Sequence, residues 1–237
     1  GVQTCALPIS AARLGTHTFM HGAVGNDDAG QMCLSALQDN NVDTAHVQRV
    51  ANSTGIAVVV VEESGENLIV ISPGANDHAI LAGISDADAV ILQHEIPAAA
   101  NLAAARAASG LVVLNAAPVR EVPEEMWDHV DVLVVNEHEH AAYGRTERLV
   151  VVTLGADGAV AYRDGIEVAR ALPPAVNVVD TVGAGDTFTA ALTVALVRGD
   201  DIQQAVRWAV TAGALATQAP GAQTAMPTSQ EVDARCV

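Results

Sequence analysis

The chain has 237 residues, half of them hydrophobic, and a formal net charge of −17 at neutral pH. This length predicts one medium-sized domain with a sizeable core. The negative charge, with arginine as the only long-chain cation, argues against nucleic acid or an anionic membrane as a partner. No apolar stretch approaches membrane-spanning length, and the three cysteines form neither a disulfide framework nor a metal-ligand spacing. We therefore expect a cytoplasmic protein.

The first ten residues are unusual in composition. Gly1–Ile9 lacks the basic start and the long apolar core of a signal peptide, and instead resembles the translation of a sequencing adapter. We expect residues 1–10 to be a foreign segment and residues 11–237 to form the domain. A genuine variable N-terminus is the alternative.

Helix and strand patterns alternate along the chain, which predicts an α/β fold, a doubly wound, mostly parallel sheet with helices on both faces. The first half is predicted to contain the end of a helix, a strand, a second helix and a β-hairpin. In chain order these are Ser10–Leu14, Thr18–Gly22, Ala29–Asn40 and 53–73, the last with its turn at Glu62–Glu66.

The second half contains short apolar runs of the kind found in buried parallel strands. These runs are Ala89–Leu92, Leu111–Leu114, Val130–Val135 and Leu149–Leu154. A helix is expected between the first two, followed later by a hairpin and two large helices. These elements are Pro97–Ser109, then Gly158–Tyr162 with Ile166–Val168, then Asp186–Arg198 and Ile202–Gln218.

The most informative stretch runs from Asp180 to Phe188. It follows an apolar run, Val176–Val179, that predicts a short strand, and it opens an amphipathic helix. A small-residue turn at a helix N-terminus exposes backbone N–H groups where the helix dipole favours anions, and glycine permits close approach. Asp186 lies in the first helical turn, and the loop lacks the lysine of a Walker A sequence. This arrangement predicts a base acting on a hydroxyl that attacks phosphorus.

Polar residues also follow three of the predicted strands, at the strand ends where ligand sites of open α/β sheets lie. Asn136 and Glu139 are one helical turn apart, and their oxygens suit Mg²⁺; a cap at a helix start is the alternative. Glu95 is either a substrate contact or a helix-start acid. The turn Thr153–Gly158 is either a ligand loop or a plain glycine-containing turn.

The Asp180–Phe188 stretch, D-T-V-G-A-G-D-T-F, resembles the C-terminal signature of the ribokinase (phosphofructokinase-B) family of sugar kinases. Further segments resemble the family's motifs, in the family's order, from about Ala11 to the C-terminus. They are Gly22–Gly30, Ser53–Gly55 with Gly74–Asn76, Asn136–Glu139, Thr153–Gly158 and Gly221–Gln223. The family's first strand, part of its small β lid and a Gly-Gly-Lys-Gly turn have no counterpart, which implies an N-terminally truncated member whose 53–73 hairpin is a lid remnant.

The resemblance implies roles for individual residues. Asp186 would be the catalytic base and would contact the sugar together with Glu95. The anion hole would comprise Gly183, Ala184 and Gly185, completed by the N–H of Asp186. Nucleotide contacts would come from Asn136, Thr153, Gly155, Asp157, Gly158 and Gly185, and Glu139 would organise hydrated Mg²⁺. A K⁺ site would involve Asp180, Val182, Ala216, Ala219, Gly221 and Ala225, of which Ala225 stands where the family often has serine.

The function implied is an ATP-dependent sugar kinase that converts D-ribose to D-ribose 5-phosphate, with Mg²⁺ and K⁺ as cofactors. Nucleoside, fructose and ketodeoxygluconate kinases are alternatives within the family, and an inactive fragment that only binds nucleotide is an alternative outside it. A homodimer through the lid is expected in the parent protein. A dinucleotide-dependent oxidoreductase is disfavoured, since no G-x-G-x-x-G opens a helix after an early strand.

Overall fold

The computed structural model describes residues 2–61, 67–81, 84, 86–144 and 148–236. Its helices are α1 (Val2–Arg13), α2 (Asp28–Asp39), α3 (Ala98–Ala107), α4 (Glu137–Tyr143), α5 (Ala184–Val197), α6 (Ile202–Ala216) and α7 (Ser229–Arg235). Its strands are β1 (Thr18–Phe19), β2 (Gly22–Gly25), β3 (Val42–Asp43), β4 (Val47–Val50), β5 (Ile56–Val61), β6 (Asn67–Ser72), β7 (Ala89–Gln93), β8 (Leu111–Asn115), β9 (Val132–Asn136), β10 (Leu149–Thr153), β11 (Ala159–Arg163) and β12 (Ile166–Ala171). None of the helices described combines the length and apolar character needed to cross a membrane.

Six strands form the central sheet, in the order β12-β11-β10-β9-β8-β7. Strands β7 to β10 are parallel to their neighbours, and β11 and β12 continue the sheet as an antiparallel hairpin. The remaining strands pair in twos: β1 with β3, β2 with β4, and β5 with β6. The α/β fold with a mostly parallel sheet is therefore confirmed.

Successive residues of the buried strands pack on opposite faces of the sheet, as the two-residue strand period requires. Val132 and Val134 of β9 belong to the core under α5 and α6, which includes Leu192. Leu133 and Val135 belong to the core under α3. Burial of each such side chain stabilises the fold by about 1.5–3 kcal/mol, so these strands hold both helical layers in place.

Two strand predictions are wrong. The run Thr18–Gly22 is not one strand, because β1 ends at Phe19 and pairs with β3 whereas β2 begins at Gly22 and pairs with β4. The run Val176–Val179 is not a strand in the structure. Two prolines precede it, Val178 and Val179 are more than half exposed, and the Val179 N–H donates to the carbonyl of Thr217 (2.8 Å) instead of to a strand.

The N-terminal residues form part of the packed structure. Helix α1 spans the predicted boundary at residue 10, and Cys5, Ala6 and Ile9 are buried against α2 and β3. The division into 1–10 and 11–237 stays a prediction. The 53–73 hairpin is present as β5 and β6, while its predicted turn at residues 62–66 lies outside the described residues.

Candidate active site

The carboxyl ends of the parallel strands bring several of the predicted residues to one edge of the sheet. Asn136 ends β9 and Thr153 ends β10, and the two are paired in register. The Thr153 hydroxyl donates to the carbonyl of Val135 at 3.3 Å. Glu95 follows β7, two strands beyond β9. The sheet therefore sets Asn136 and Thr153 side by side.

The N-terminus of α5 has the conformation that the small-residue turn predicts. Gly183 is the N-cap with φ +83°, and a Cβ there would lie 2.6 Å from the carbonyl oxygen of Ala222. The N–H of Ala184 donates to the carbonyl of Thr181 (3.2 Å). No backbone hydrogen bond among the described residues uses the N–H of Gly185 or Asp186. These two donors are thus available to an anion, while that of Ala184 is already engaged.

Asp186 is the carboxyl group with the most perturbed acidity at this helix start. Burial raises the pKa of Asp186 to about 7, and the negative charge of Glu95 adds to the shift. Part of the Asp186 surface still faces solvent. The structure therefore brings Asp186 close enough to Glu95 for their charges to interact. A carboxylate with a pKa near neutrality has the acidity that suits a general base.

Asn136 and Glu139 form a reciprocal capping box at the start of α4. The Asn136 Oδ1 accepts from the Glu139 N–H, and the Glu139 Oε2 accepts from the Asn136 N–H, both at 2.8 Å. Glu139 is buried, and burial raises the pKa of its carboxyl. The two residues thus form the helix cap that the alternative interpretation expects. A role toward ligands stays a prediction for both residues.

The predicted nucleotide loop closes the turn between β10 and β11. Gly155 has φ +56° with open space around it, whereas a Cβ on Gly158 (φ +81°) would collide with the Ala171 carbonyl. Asp157 is exposed. Packing therefore requires glycine at position 158, whereas Gly155 leaves room for a ligand to approach.

Asp180 joins the α5 loop to the loop after α6. Its Oδ1 accepts from the Val182 N–H (3.0 Å) and its Oδ2 from the Gly221 N–H (2.8 Å), and these bonds lower the pKa of Asp180. The structure thus brings together three of the residues predicted for K⁺. No described hydrogen bond links Asp180 to the other three, which lie at the end of α6 and in the loop that follows: Ala216, Ala219 and Ala225.

Sequence reasoning missed how the Ser53–Gly55 segment is held. The Asp27 carboxylate accepts from the Thr54 N–H (2.8 Å), the Thr54 hydroxyl (2.5 Å) and the Gly30 N–H (2.8 Å). Gly74 (φ +52°) packs against the Ser53 carbonyl, which accepts from the Ala75 N–H at 2.8 Å. Thr54, which stands between two turn motifs, was the residue in the sequence that could have indicated this contact.

These features match one known family. The profile described as pfkB family carbohydrate kinase matches residues 9–229. The chain belongs to this family. This membership agrees with the geometry of the site, in which Asp186, the candidate base, lies at a helix N-terminus and the loop lacks a Walker A lysine.

Named relatives are ribokinases. The chain is 37% identical to the ribokinase of Bacillus subtilis, over 95% of this chain and 83% of that protein. The structure of Arabidopsis thaliana ribokinase complexed with ribose and ATP has a TM-score of 0.88 and 32% identity, over 98% of this chain and 86% of the other. Thermotoga maritima ribokinase gives a TM-score of 0.85 at 28% identity, over 97% and 84% of the two chains.

Proposed function

We propose that this pfkB kinase transfers the γ-phosphoryl group of ATP to D-ribose and forms D-ribose 5-phosphate and ADP. The observation that carries this proposal is the Asp186 carboxyl, with its pKa near 7, beside the two unengaged N–H groups at the start of α5. The identity to ribokinases over most of the chain supports ribose as the sugar. Nucleoside and fructose kinases are less favoured.

The proposed reaction needs one base and a set of fixed donors. The Asp186 carboxylate takes the proton of the sugar hydroxyl as its oxygen attacks the γ-phosphorus, and the bond from that phosphorus to the bridging oxygen of ADP breaks. The N–H groups of Gly185 and Asp186 hold the negative oxygens of the transferring group. Glu95 positions the sugar next to Asp186. The nucleotide lies along the loop of Thr153, Gly155, Asp157 and Gly158, with Asn136 facing its phosphates.

Mg²⁺ fits this site as a hydrated ion. Among the described residues no cluster of three or more His, Cys, Asp or Glu side chains could hold a metal, so water and nucleotide phosphates must supply most ligands. Glu139 is a buried carboxyl in the first turn of α4, just after β9, and would organise that water. The ion would neutralise charge on the phosphates when bound.

A panel of acceptors tests the proposed substrate. The chain is incubated with Mg·ATP and D-ribose, fructose, adenosine or ketodeoxygluconate, and phosphorylated products are identified by mass spectrometry and phosphorus NMR. The proposal expects the highest kcat/KM with D-ribose and a phosphate on its 5-hydroxyl. ATP binding without turnover on any acceptor would instead support a fragment that only binds nucleotide.

The pH dependence of the reaction should report the acidity of Asp186. Because only the ionised carboxylate accepts a proton, kcat/KM is expected to rise tenfold per pH unit below about pH 7 and level off above it. Burial is the main cause of the raised pKa of Asp186, and Glu95→Gln removes the negative charge that adds to it, so the midpoint moves to lower pH. Glu121→Gln, at an exposed position, is the matched control. An unchanged midpoint in Glu95→Gln would contradict the coupling.

We propose K⁺ as an activator through the Asp180 loops. Two hydrogen bonds lower the pKa of Asp180, so it is ionised at neutral pH. In the proposed site its negative charge combines with the backbone carbonyls of Val182, Ala216, Ala219, Gly221 and Ala225. The phosphorylation rate is expected to be severalfold higher in KCl than in NaCl at equal ionic strength. Equal rates in the two salts would contradict the site.

We also propose a homodimer through the β5–β6 hairpin. Ile56, Val70 and Ile71 are 45–55% exposed there, which is unfavourable for apolar side chains in water. Val70→Glu is expected to raise the dimer dissociation constant at least about tenfold in sedimentation velocity, because it places a charge in the contact. Ile166→Glu, exposed on β12, serves as the control. If the chain without substitutions is monomeric, this contact is contradicted.

A further inference from the structure

A buried histidine directly precedes Glu95, just after the end of β7. His94 is 6% exposed, and its backbone N–H donates to the carbonyl of Ala117 at 3.0 Å. Its ring Nδ1 lies 3.1 Å from the carbonyl oxygen of Pro118 and 3.1 Å from the hydroxyl oxygen of Tyr143, the last residue of α4. Both the backbone and the side chain of the residue before Glu95 are therefore held by hydrogen bonds.

The positions of the hydrogens follow from the chemistry of these groups. Burial lowers the pKa of His94, so the ring is neutral at neutral pH and carries one hydrogen. Because the Pro118 carbonyl can only accept, we assign that hydrogen to Nδ1, which also faces the Tyr143 oxygen. The Tyr143 oxygen accepts from the Arg120 N–H (2.9 Å), and its hydroxyl donates to the Arg120 carbonyl (3.2 Å). With this assignment every polar contact of the cluster has a donor and an acceptor.

The cluster ties the residue before Glu95 to a helix whose start is fixed independently. The capping box of Asn136 and Glu139 holds the first turn of α4, at the opposite end of the helix from Tyr143. The Tyr143 ring also packs edge-on against the rings of His94 and Trp127, with centroids 6.0 and 5.9 Å apart. Loss of the Tyr143 hydroxyl should therefore release the histidine while both the ring packing and the start of α4 remain.

The position of Glu95 matters because its charge reaches the candidate base. Burial raises the pKa of Asp186 to about 7, and the negative charge of Glu95 adds to the shift. Since the interaction of two charges weakens as their separation grows, a displaced Glu95 would change the acidity of Asp186 as well as its own contact with the sugar.

We propose that His94 and Tyr143 are positioning residues for the acceptor sugar, which hold Glu95 against D-ribose and at a fixed distance from Asp186. Both act through Glu95 and not by touching the reacting atoms. The roles of Glu95 and Asp186 in this inference rest on the proposed function, whereas the hydrogen bonds of the cluster do not.

Removal of one hydroxyl is the first test. Tyr143→Phe keeps the ring, so KM for D-ribose is expected to rise at least about fivefold while KM for Mg·ATP changes less than about twofold, because only the sugar side is released. Tyr162→Phe, at the chain's other tyrosine on β11, is the matched control and should leave both constants unchanged. An unchanged KM for D-ribose in Tyr143→Phe, or an equal rise in both constants, overturns the proposal.

Two substitutions of the histidine separate hydrogen bonding from packing. His94→Leu keeps an apolar side chain of similar size but has no donor, whereas His94→Asn places an amide nitrogen near the position of Nδ1, where it can donate to the Pro118 carbonyl. The leucine variant is expected to repeat the effect of Tyr143→Phe, and the asparagine variant to keep KM for D-ribose within about twofold of wild type. Equal values in the two variants, both folded by circular dichroism, overturn the hydrogen-bonding role.

The acidity of Asp186 provides a measurement that needs no turnover. Carbon NMR follows its carboxyl group in a chain labelled at the aspartate carboxyl carbons, and Asp186→Asn assigns the signal. Tyr143→Phe and His94→Leu are expected to move the midpoint to lower pH, in the direction of Glu95→Gln, which a loss of stability alone would not do. A moved midpoint in a chain that phosphorylates no sugar supports the cluster and contradicts the proposed kinase. An unmoved midpoint in an active kinase overturns the cluster and leaves the proposed function intact.

Discussion

Asp186→Asn is expected to lower kcat for sugar phosphorylation by about 10²–10⁴-fold, the range that a positioned general base contributes. Asparagine has nearly the same shape as aspartate but cannot take the proton of the attacking hydroxyl. Nucleotide affinity should change by less than about twofold, because the backbone N–H groups of Gly185 and Asp186 are unaltered. A coupled assay for ADP gives kcat, and a fluorescent ATP analogue gives the affinity.

The same variant carries its own control for folding. The pKa of Asp186 is about 7 in the folded chain, against an ordinary value of 3.8. Between these two pH values the folded chain keeps the carboxyl protonated while the unfolded chain has lost the proton. Ionising the buried carboxyl therefore lowers the free energy of unfolding as the pH rises. One pKa unit corresponds to about 1.4 kcal/mol, and because Asp186 is partly exposed to solvent, we expect ionisation to destabilise the fold by only about 2 kcal/mol in total. Asp186→Asn should therefore melt higher than wild type at pH 8 and equally near pH 4. Full kcat in this variant contradicts the base, and a lower melting temperature at both pH values indicates misfolding.

The central sheet could be predicted from the sequence because its parallel strands are buried on both faces. Burial on both faces makes each strand a continuous apolar run, and the runs at β7, β8 and β10 agree with the structure to within one residue at each end. Apolar residues alone were insufficient at Val176–Val179, where the chain pairs with a helix end instead. The difference is tertiary: no strand in the described part of the chain pairs with that segment.

Helix α7 was missed although the sequence contained its signal. Thr228 and Glu231 form a capping box, in which the Thr228 side chain accepts from the Glu231 N–H and the Glu231 carboxylate accepts from the Thr228 N–H. The spacing T-x-x-E is typical of a helix start. With only Val232 fully buried, the apolar periodicity of this short helix was too weak to indicate it.

The local positions of the candidate residues could be predicted from sequence patterns, but their assembly could not. Asp186 was predicted from its local turn, since an acid in the first turn of a helix with a glycine cap needs no distant partner. Its proximity to Glu95 was implied only by the family resemblance, because the two residues are far apart in sequence and meet only through the order of strands and helices. The perturbed pKa of Asp186 depends on that meeting and on burial, neither of which a linear pattern contains.

Gly183 and Gly185 should respond differently to the same substitution. Gly183→Ala forces a side chain into a left-handed conformation and within 2.6 Å of the Ala222 carbonyl oxygen. The conformation costs about 1–2 kcal/mol and the overpacking about 1–3 kcal/mol, so we expect a loss of about 2–5 kcal/mol in unfolding free energy. Urea unfolding measures it, and an unchanged midpoint would contradict the close approach of the two loops.

Gly185→Ala is the matched variant at the next glycine. A Cβ there meets no atom within 4 Å, and alanine favours the helix, so stability should stay equal or rise by up to about 1 kcal/mol. Activity should still fall at least about tenfold, since the new methyl group occupies the open space through which an anion would reach the N–H donors of Gly185 and Asp186. Because Gly183→Ala acts through the fold and Gly185→Ala through the ligand, the pair separates packing from phosphate binding. Full activity in a stable Gly185→Ala would place the transferring phosphoryl group elsewhere than at the start of α5.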